Sequence, residues 1–456
     1  MDDTISAIAT ALGVGSIGVI RLSGPDSLAI VDRIFTGREK PGKDNARKLL
    51  YGHILDRKGQ PIDEVLAVYM PGPHSYTGED VCEIQCHGGR QALQEILSLT
   101  YQAGARPAEP GEFTKRAFLN GRLDLAEAES VMDIINAKSR QALVAANRGH
   151  EGGLSRKVRE LRKKLRDLVV QLEAAIDYPE EDIEEVTYDR AAEVLAEGQA
   201  AVARLVRQGS AGRILREGLR TAIVGRPNVG KSSLLNSLLQ ADRAIVSNIP
   251  GTTRDIIEEQ MTIGGIPLVL TDTAGLRDTE DLVEKIGVER SRAALEDAQL
   301  ALVVLDGSQP LSGEDRELLR SLKDRKKLIL VNKSDLPQML DTEGLQREYG
   351  SSDVIVLSVK TGEGMEQVEQ WLREFVYGEG SDSESSSMTQ NARQQDLLEK
   401  ALRSLEDAME GARQHLPYDC LTIDLTQTLH DLGEITGEDV PDEIIDEIFA
   451  QFCVGK

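Results

Sequence analysis

One octet of the sequence has the residue types and spacing of a phosphate-binding loop. Residues 225–232 read Gly-Arg-Pro-Asn-Val-Gly-Lys-Ser, the pattern G-x-x-x-x-G-K-S. The run Thr221–Val224 before it predicts a strand, and Ser233–Leu239 after it predicts a helix. The glycines would let backbone N–H groups surround a β-phosphate at a helix N-terminus. Lys231 would neutralise the β- and γ-phosphates, and the Ser232 hydroxyl would bind Mg²⁺.

Two downstream segments indicate which base the loop would hold. Asn332-Lys333-Ser334-Asp335 follows the predicted strand Leu328–Val331. The Asp335 carboxylate can accept hydrogen bonds from both N1–H and N2–H₂ of guanine, and adenine has neither donor. Ser358-Val359-Lys360 would then close over the base. In this order, and at strand ends, the segments predict a GTPase.

Two predicted switch regions lie between the loop and these segments. Gly251-Thr252-Thr253-Arg254-Asp255 offers a threonine that can complete a Mg²⁺ shell when GTP is bound. Asp272-Thr273-Ala274-Gly275 follows the predicted strand Leu268–Thr271. It supplies a carboxylate toward the Mg²⁺ shell and a glycine N–H toward the γ-phosphate.

The residue after that glycine departs from the small Ras-like GTPases. Leu276 stands where those proteins carry the glutamine that orients the attacking water, and an aliphatic side chain cannot do this. Either hydrolysis is very slow or another group substitutes. Glu284 is a candidate to orient water, and a solvated charge run over Glu280–Glu289 is the alternative interpretation. Asn228 could help to hold a monovalent cation near the β–γ bridge.

Composition excludes several classes of protein. The chain has 456 residues, 40% of them hydrophobic and 29% charged, which is enough for about three globular domains. A net charge of −24 argues against indiscriminate coating of nucleic acid, without excluding a local basic patch. The aromatic content of 4% indicates no aromatic-rich stacking surface. Four cysteines, an acidic start and short apolar runs predict a cytoplasmic protein that does not span a membrane.

The order of predicted elements indicates a multidomain chain of α/β plus α class. Residues 1–118 mix strands and helices and predict an N-terminal α+β domain. Residues 119–216 and 379–456 have long amphipathic stretches, which predict one helical domain built from two flanking segments. Residues 217–378 alternate strands and helices, which predicts an inserted Ras-like α/β P-loop GTPase domain with a parallel sheet.

Within the N-terminal segment, Ser16–Leu22 and Val65–Met70 are predicted strands and Ala92–Gln102 is a predicted helix. Cys82 and Cys86 could be imagined as metal ligands. Strand alternation instead places both on one face with the apolar residue between them, and no second ligand pair is visible. The pattern therefore favours core cysteines.

Segments outside the GTPase motifs resemble the MnmE (TrmE) family of tRNA-modification GTPases along the whole chain. The N-terminal resemblance lies in Asp3–Thr10 and Gly18–Gly24. Ser75–Asp80 and Pro110–Asn120 are similarly close, and Phe452–Lys456 is similar to the family's C-x-G-K ending. General GTPase chemistry demands none of these segments, so the resemblance is specific.

The resemblance implies a tRNA-modifying enzyme. Members of this family are homodimers through their N-terminal domains, which bind a 5-formyl- or 5,10-methylene-tetrahydrofolate. With an FAD-dependent partner, an MnmG (GidA)-like protein, they form a heterotetramer. The pair adds a carboxymethylaminomethyl or aminomethyl group at C5 of the wobble uridine of certain tRNAs. The GTPase domains dimerise across their switches when K⁺ is bound.

The resemblance also implies roles for individual residues. The implied folate contacts are Arg21, Glu83, Arg122 and Lys456. The implied K⁺ site comprises Asn228, Ser247, Ile249 and Thr252, and Mg²⁺ would take Ser232 and Thr253. The implied catalytic residues are Glu284, which orients water, and Cys453, which takes part in the modification. The predicted GTP-binding residues are Asn228, Val229, Gly230, Lys231, Ser232, Ser233, Ser247, Asn248, Ile249, Pro250, Gly251, Thr252, Thr253, Asp272, Thr273, Ala274, Gly275, Asn332, Lys333, Asp335, Ser358, Val359 and Lys360.

Three alternatives stay open at this point. Cys453 could be a small buried apolar residue near a flexible end. The basic stretch Arg156–Arg166 could contact a tRNA backbone or form a solvated helix face, and charge reversal at Arg162 and Lys163 would weaken tRNA binding in the first case. A ribosome-assembly GTPase would share the loop and switches, but not the sequence outside residues 217–378.

Overall fold

Eight stretches of the chain are described by the computed structural model. They are residues 3–11, 13–137, 139–177, 187–241, 259–270, 297–350, 353–378 and 390–456. Contacts divide the chain into two units. The first comprises Met1–Met132, Gly149–Val202 and Asp396–Lys456, and the second comprises Asp133–Arg148 and Ala203–Gln395. Among the described helices, none combines the length and the apolar character that crossing a membrane requires.

Seven strands of the first unit form one sheet. They are β1 (Ile5–Ile8), β2 (Ile17–Ser23), β3 (Phe35–Gly37), β4 (Leu50–Leu55), β5 (Pro61–Met70), β6 (Val81–His87) and β7 (Arg106–Pro107). Their order is β3-β4-β5-β6-β2-β1-β7, and every neighbouring pair is antiparallel except β1 with β7. The two predicted strands are confirmed within β2 and β5.

The first unit contains helices between and after the strands of the sheet and in the two flanking segments. They are α1 (Ser27–Ile34), α2 (Arg90–Gln102), α3 (Glu112–Leu119), α4 (Leu125–Asn136), α6 (Gly153–Asp177), α7 (Tyr188–Glu217), α12 (Ala392–Arg413), α13 (Tyr418–Thr436) and α14 (Asp442–Ala450), of which α4, α7 and α12 extend into the second unit. The predicted helix at residues 92–102 is confirmed as α2, whose buried Leu93 and Ile96 pack in the sheet core.

Both cysteines of β6 lie in that core, as predicted. Cys82 is fully buried, and Cys86 is 4% exposed. Burial raises the pKa of Cys82 to about 12 and the pKa of Cys86 to about 11, so neither is a thiolate at neutral pH. In the described ranges, no group of three metal-ligating side chains comes together.

The helical part of the first unit joins sequence segments that lie far apart. Helix α6 packs along α13, and Gly198 of α7 lies beside Leu161 and Leu165 of α6 and Leu405 of α12. A Cβ atom on Gly198 would come within 3.3 Å of Leu165 Cδ2. The absence of a side chain at this position therefore lets the helices approach closely.

The structure contradicts the interpretation of Arg162 as an RNA-facing or solvated residue. Arg162 is 6% exposed. Its Nε donates to the Leu429 carbonyl oxygen at 3.0 Å, and its Nη1 donates to the Glu438 carboxylate. Arg162 therefore joins α6 to α13, because a buried guanidinium needs partners on the helix that covers it. Lys163, the next residue, is exposed and stays an RNA-contact candidate.

The second unit contains a six-stranded sheet. Its strands are β8 (Leu219–Val224), β9 (Glu259–Ile263), β10 (Ile266–Leu270), β11 (Leu300–Asp306), β12 (Lys327–Asn332) and β13 (Val354–Val356). The order is β13-β12-β11-β8-β10-β9. The expectation of a wholly parallel sheet is wrong at one edge, because β9 runs antiparallel to β10 as a hairpin. The remaining pairs are parallel.

Apolar residues cover both faces of this sheet. Along β11, Leu302 and Val304 join one buried cluster, and Val303 and Leu305 join another. Burial on both faces explains the continuous apolar sequence of this strand. Besides the portions of α4, α7 and α12 that extend into it, the helices that the structure describes in this unit are α5 (Arg140–His150, whose last two residues belong to the first unit), α8 (Lys231–Ala241), α9 (Gly313–Ser321), α10 (Thr342–Tyr349) and α11 (Met365–Tyr377).

Candidate functional site

The phosphate-loop octet follows β8 directly, and its last two residues begin α8, which is the strand–loop–helix setting that the sequence predicted. Gly225 has φ +151° and Gly230 has φ +106°, which L side chains rarely adopt. A Cβ atom would lie 2.4 Å from the Val304 carbonyl oxygen at Gly225, and 2.2 Å from Asn332 Nδ2 at Gly230. The backbone therefore takes a path that only glycine permits at both ends of the loop.

The Lys231 side chain folds back over this loop. Its Nζ donates to the carbonyl oxygens of Gly225 at 2.7 Å and Arg226 at 2.8 Å. Burial lowers the pKa of Lys231, since removal from water disfavours the charged form. The ammonium group is thus fixed at the mouth of the loop, where phosphate oxygens would give it stronger, charge-assisted partners.

Asn332 links three of the predicted motifs. It is 4% exposed. Its Nδ2 donates to the Val229 carbonyl oxygen at 2.9 Å, and its Oδ1 accepts from the Val359 backbone N–H at 3.1 Å. The phosphate loop, the N-K-x-D segment and the S-V-K segment are therefore held in one arrangement by a single buried amide.

The Asp335 carboxylate is oriented by two residues of the S-V-K segment. Ser358 Oγ donates to Asp335 Oδ1 at 2.8 Å, and Lys360 Nζ lies 3.8 Å from Asp335 Oδ2. Ser358 is fully buried, so its hydroxyl is a fixed donor. This geometry suits a carboxylate that accepts hydrogen bonds from two N–H groups on one edge of a purine.

Sequence reasoning missed Asp306, which anchors Lys333. Asp306 ends β11 and is 4% exposed, and its Oδ2 accepts from Lys333 Nζ at 2.6 Å. Burial alone would raise the pKa of Asp306, but hydrogen bonds from Lys333 and Ser308 hold it below its usual value. An acid directly after a buried strand, at the sheet edge that carries the motifs, was the available signal.

Arg226 of the loop is fixed by a second residue that the sequence did not single out. Its Nε donates to Asp315 Oδ1 at 2.8 Å, and Asp315 is almost fully buried. Asp315 also forms a capping box with Ser312 at the start of α9. The loop is thus anchored to the N-terminus of α9.

Part of the predicted nucleotide site lies outside the described residues. This holds for Ser247, Asn248, Ile249, Pro250, Gly251, Thr252, Thr253, Asp272, Thr273, Ala274, Gly275 and Glu284. Of the predicted Mg²⁺ ligands only Ser232 is described, and of the predicted K⁺ ligands only Asn228, which has φ +63°.

A second site candidate lies on the N-terminal sheet. Arg21 and Glu83 face each other across β2 and β6, and Arg21 Nε donates to Glu83 Oε1 at 2.8 Å. The Arg21 guanidinium lies 5.1 Å from the Tyr76 ring centroid, and the Arg122 guanidinium lies 5.2 Å from it. Arg122 also donates to the Tyr76 carbonyl oxygen. Two cations therefore lie over one aromatic ring, and one of them is paired with a carboxylate.

The C-terminal segment docks beside these residues. The Phe113 N–H donates to the Lys456 carbonyl oxygen at 3.1 Å, and Phe113 itself lies under Arg21, 5.7 Å from its guanidinium. The Gly111 N–H donates to the Cys453 carbonyl oxygen at 3.3 Å. The structure thus brings Arg21, Glu83, Arg122 and the last residues of the chain to one region. Cys453 is exposed.

A buried charge network fixes α3, which carries Phe113. Arg116 is fully buried; its Nη2 donates to Asp3 Oδ1 at 2.7 Å and to Glu112 Oε1 at 3.0 Å. Its Nη1 donates to Glu79 Oε2 at 3.1 Å. Burial would raise the pKa of Glu112, but the Arg106 and Arg116 hydrogen bonds lower it. The sequence indicated at most the Glu112–Arg116 pair of α3, because Asp3 and Glu79 lie far from Arg116 in the chain.

Replacing Gly455 with alanine is expected to displace the C-terminal segment, and at a site that holds the folate implied by the family resemblance it would weaken binding by at least about tenfold. Gly455 has φ +95°, and a Cβ atom would lie 2.2 Å from the Ile8 carbonyl oxygen, so the terminal segment must shift. Equilibrium dialysis with 5-formyl-tetrahydrofolate measures the effect. Gly89→Ala is the matched control, since its Cβ atom meets nothing within 4 Å. Equal affinity in both variants would disprove the contribution of the docked segment.

The loop between β8 and α8, together with the two base-side segments that Asn332 ties to it, defines a P-loop GTPase with additional N-terminal and helical regions. Family models match those regions: "GTP-binding protein TrmE N-terminus" over residues 4–122 and "MnmE helical domain" over residues 125–453. The chain belongs to the MnmE family of tRNA modification GTPases.

Full-length relatives agree with the family models. The tRNA modification GTPase MnmE of Clostridioides difficile (strain 630) is 48% identical over 460 residues, covering 100% of both chains. That of Latilactobacillus sakei subsp. sakei (strain 23K) is 48% identical over 455 residues, covering 100% of this chain and 98% of its own. Among solved structures, the G domain of the T. maritima FeoB iron transporter is 29% identical, covering 34% of this chain and 98% of its own, with a TM-score of 0.25.

Proposed function

We propose that this chain hydrolyses GTP to drive modification of the wobble uridine of certain tRNAs at C5. An FAD-dependent MnmG (GidA)-like protein is the partner in a heterotetramer, and an aminomethyl or carboxymethylaminomethyl group is the product. The contacts that carry this proposal hold Lys456 at Phe113, whose ring lies under Arg21, and hold Cys453 at Gly111. GTP hydrolysis alone requires no such contact.

GTP binding rests on the arrangement around Asn332. Lys231 neutralises the β- and γ-phosphates, and backbone N–H groups from Asn228 to Ser233 surround them at the N-terminus of α8. Asp335 selects guanine, and Val359 and Lys360 close over the base. The Ser232 hydroxyl, at the second position of α8, has the oxygen chemistry that Mg²⁺ prefers, and Thr253 would be its second protein ligand.

Hydrolysis rests on groups other than the glutamine of Ras-like proteins. Glu284 orients the attacking water, since Leu276 cannot. Asn228, Ser247, Ile249 and Thr252 would hold K⁺, and the cation would supply positive charge that stabilises the transition state. The left-handed backbone of Asn228, at φ +63°, already turns the loop at this position. We further propose that two GTPase domains of a homodimer associate across their switches when K⁺ is bound.

Folate binding rests on the donor set around Tyr76. Arg21, Arg122 and the Lys456 ammonium suit the carboxylates of a tetrahydrofolate, and Glu83 suits its N–H donors. When bound, the folate supplies the one-carbon unit. Cys453 is exposed at the edge of this region, in a position from which its thiol can take part in the modification.

The proposal is tested by GTP hydrolysis at fixed Mg²⁺ in K⁺ and in Na⁺ buffers. We expect faster turnover in K⁺, and we expect Glu284→Ala to lower it by at least about 100-fold with GTP affinity unchanged. Glu280→Ala, in the same acidic run, is the matched control and should keep its turnover. Equal rates of GTP hydrolysis in both salts would contradict the proposed K⁺ site. Preserved turnover in Glu284→Ala would contradict the water-orienting role of Glu284.

The modification has its own readout in the same preparations. With the FAD-dependent partner, folate, GTP and unmodified tRNA present, mass spectrometry of tRNA nucleosides is expected to detect a C5-substituted uridine. Cys453→Ser should lower its yield while GTP turnover stays unchanged. A chain that hydrolyses GTP but yields no substituted uridine would leave a GTPase without the proposed substrate.

A further inference from the structure

A cleft lies at the end of the second sheet opposite the nucleotide motifs. Lys327 begins β12 and Asp353 directly precedes β13, whereas Asn332 ends β12 at the phosphate-loop side. With a rise of about 3.3 Å per residue, the two ends of β12 are roughly 16 Å apart. The cleft has a volume of about 210 Å³, and it is separate from the GTP site.

Aromatic rings form the floor of the cleft. Only 4% of the chain is aromatic, yet the cleft contains Tyr349, Phe375 and Trp371, the only tryptophan. The Trp371 and Phe375 rings stack with centroids 5.1 Å apart and planes 8° apart. The indole N–H of Trp371 donates to Asp353 Oδ1 at 3.1 Å, which fixes the ring plane. The floor is therefore a preformed stacking platform.

Three consecutive cations form the rim. Lys327 Nζ donates to the Leu322 carbonyl oxygen at 2.8 Å and lies 5.6 Å from the Tyr349 ring centroid. Arg325 and Lys326 are exposed at the mouth. Within the described part of the chain, the Lys326 side chain has no ion pair or hydrogen bond. In a chain of net charge −24, this local excess of positive charge favours an anionic ligand.

The volume decides which part of the ligand enters. Pockets for whole drug-sized ligands begin at about 300 Å³, so this cleft takes one ring system and leaves the charged group at the rim. An inorganic anion would not use the aromatic floor, and an apolar ring would not use the cations. We propose that the cleft binds a nucleotide, either free or within single-stranded RNA, with its base on Trp371 and its phosphate on Lys326 and Arg325.

Trp371 fluorescence tests this directly, because the chain has no other tryptophan. The full-length protein is loaded with GDP and Mg²⁺ and then freed of excess nucleotide by gel filtration, so that the GTP site is filled and the cleft is open to the added ligands. AMP, a single-stranded oligoribonucleotide and inorganic phosphate are then titrated separately. We expect AMP and the oligoribonucleotide to quench Trp371 saturably and phosphate to leave it unchanged. An affinity for the oligoribonucleotide at least tenfold above that for AMP would identify RNA as the source, and comparable affinities would identify a free nucleotide.

Two surface variants decide whether the rim takes part. Lys326→Glu is expected to lower the affinity for AMP and for the oligoribonucleotide by at least about tenfold each. Lys323→Glu, an exposed lysine three residues away that does not line the cleft, is expected to leave both affinities unchanged. Absence of saturable quenching, equal quenching by phosphate, or equal affinities in the two variants would each overturn the proposal. GTP hydrolysis is unaffected in every case, so this test is independent of the function proposed above.

Discussion

Replacing Arg162 with glutamate is expected to lower the free energy of unfolding of the helical region by about 3–5 kcal/mol. The substitution removes the buried guanidinium that bonds to the Leu429 carbonyl and Glu438, and it places a second carboxylate next to the first. Urea denaturation measures the change. Circular dichroism at 222 nm follows the helices and Trp371 fluorescence follows the GTPase unit, so the shift should appear in the dichroism signal.

The adjacent residue supplies the control. Lys163→Glu makes the same charge change at an exposed position of α6, and surface changes of this kind cost within about 0.5 kcal/mol. If both variants unfold at the same urea concentration, Arg162 has no structural role. Lys163→Glu also retains its value as a test of tRNA binding, because the fold of this variant is expected to be intact. Arg162→Glu cannot serve for that purpose.

Replacing Lys231 with alanine is expected to lower kcat/KM for GTP by at least about 100-fold. The ammonium group, held at the mouth of the loop by the Gly225 and Arg226 carbonyl oxygens, is the cation that we propose meets the β- and γ-phosphates. Single-turnover hydrolysis at saturating Mg²⁺ separates this effect from nucleotide release. Binding of a fluorescent guanine nucleotide, measured in parallel, gives the share due to affinity.

Lys323→Ala is the matched substitution, because Lys323 is exposed and lies away from the phosphate loop. It should hydrolyse GTP at the unsubstituted rate. Thermal unfolding of Lys231→Ala should match that of the unsubstituted protein or exceed it, since the substitution removes a buried charge that lacks a carboxylate partner among the described residues. Turnover within tenfold of the unsubstituted chain would contradict the assigned role of Lys231.

Local sequence patterns were enough to predict the central strands of the second sheet. Residues 300–305 are continuously apolar because this strand is buried on both faces, and few other structures require such a run. The edge strand Glu259–Ile263 was missed because its residues alternate over only five positions, although Gly264-Gly265 between it and β10 is a two-residue loop typical of a hairpin. The nearby strand β10 carried the stronger apolar signal.

Arg162 shows that a charged residue can lie on the buried face of an amphipathic helix. In α6, positions 158, 161, 162 and 165 all fall within the buried stripe of a helix with 3.6 residues per turn. The helical periodicity therefore placed Arg162 on the buried face, whereas its charge favoured an exposed position. A guanidinium can be buried where a partner helix offers a carbonyl and a carboxylate, and those groups lie more than 260 residues away in the chain.

Residues of the candidate sites were likewise predictable where they are contiguous in sequence and not where packing brings them together. Residues of the phosphate loop and of the N-K-x-D segment are contiguous, so the sequence could name them. Asn332 could be named as a base-side residue, but not as the amide that joins three motifs. The cleft at Trp371 was not predictable, because Tyr349, Trp371 and Phe375 meet only through the packing of α10 and α11 on the sheet.

The pairing of α6 with α13 has a consequence for synthesis of the chain on the ribosome. Helix α6 is complete at Asp177, whereas α13 ends at Thr436. At a synthesis rate of about 5–20 residues per second, the apolar stripe of α6 lacks its partner helix for on the order of 10–50 s. The whole GTPase sequence emerges during that interval and can fold first. Chaperones that bind exposed apolar helices are therefore expected to engage nascent chains between these two lengths, and to release them once α13 has emerged.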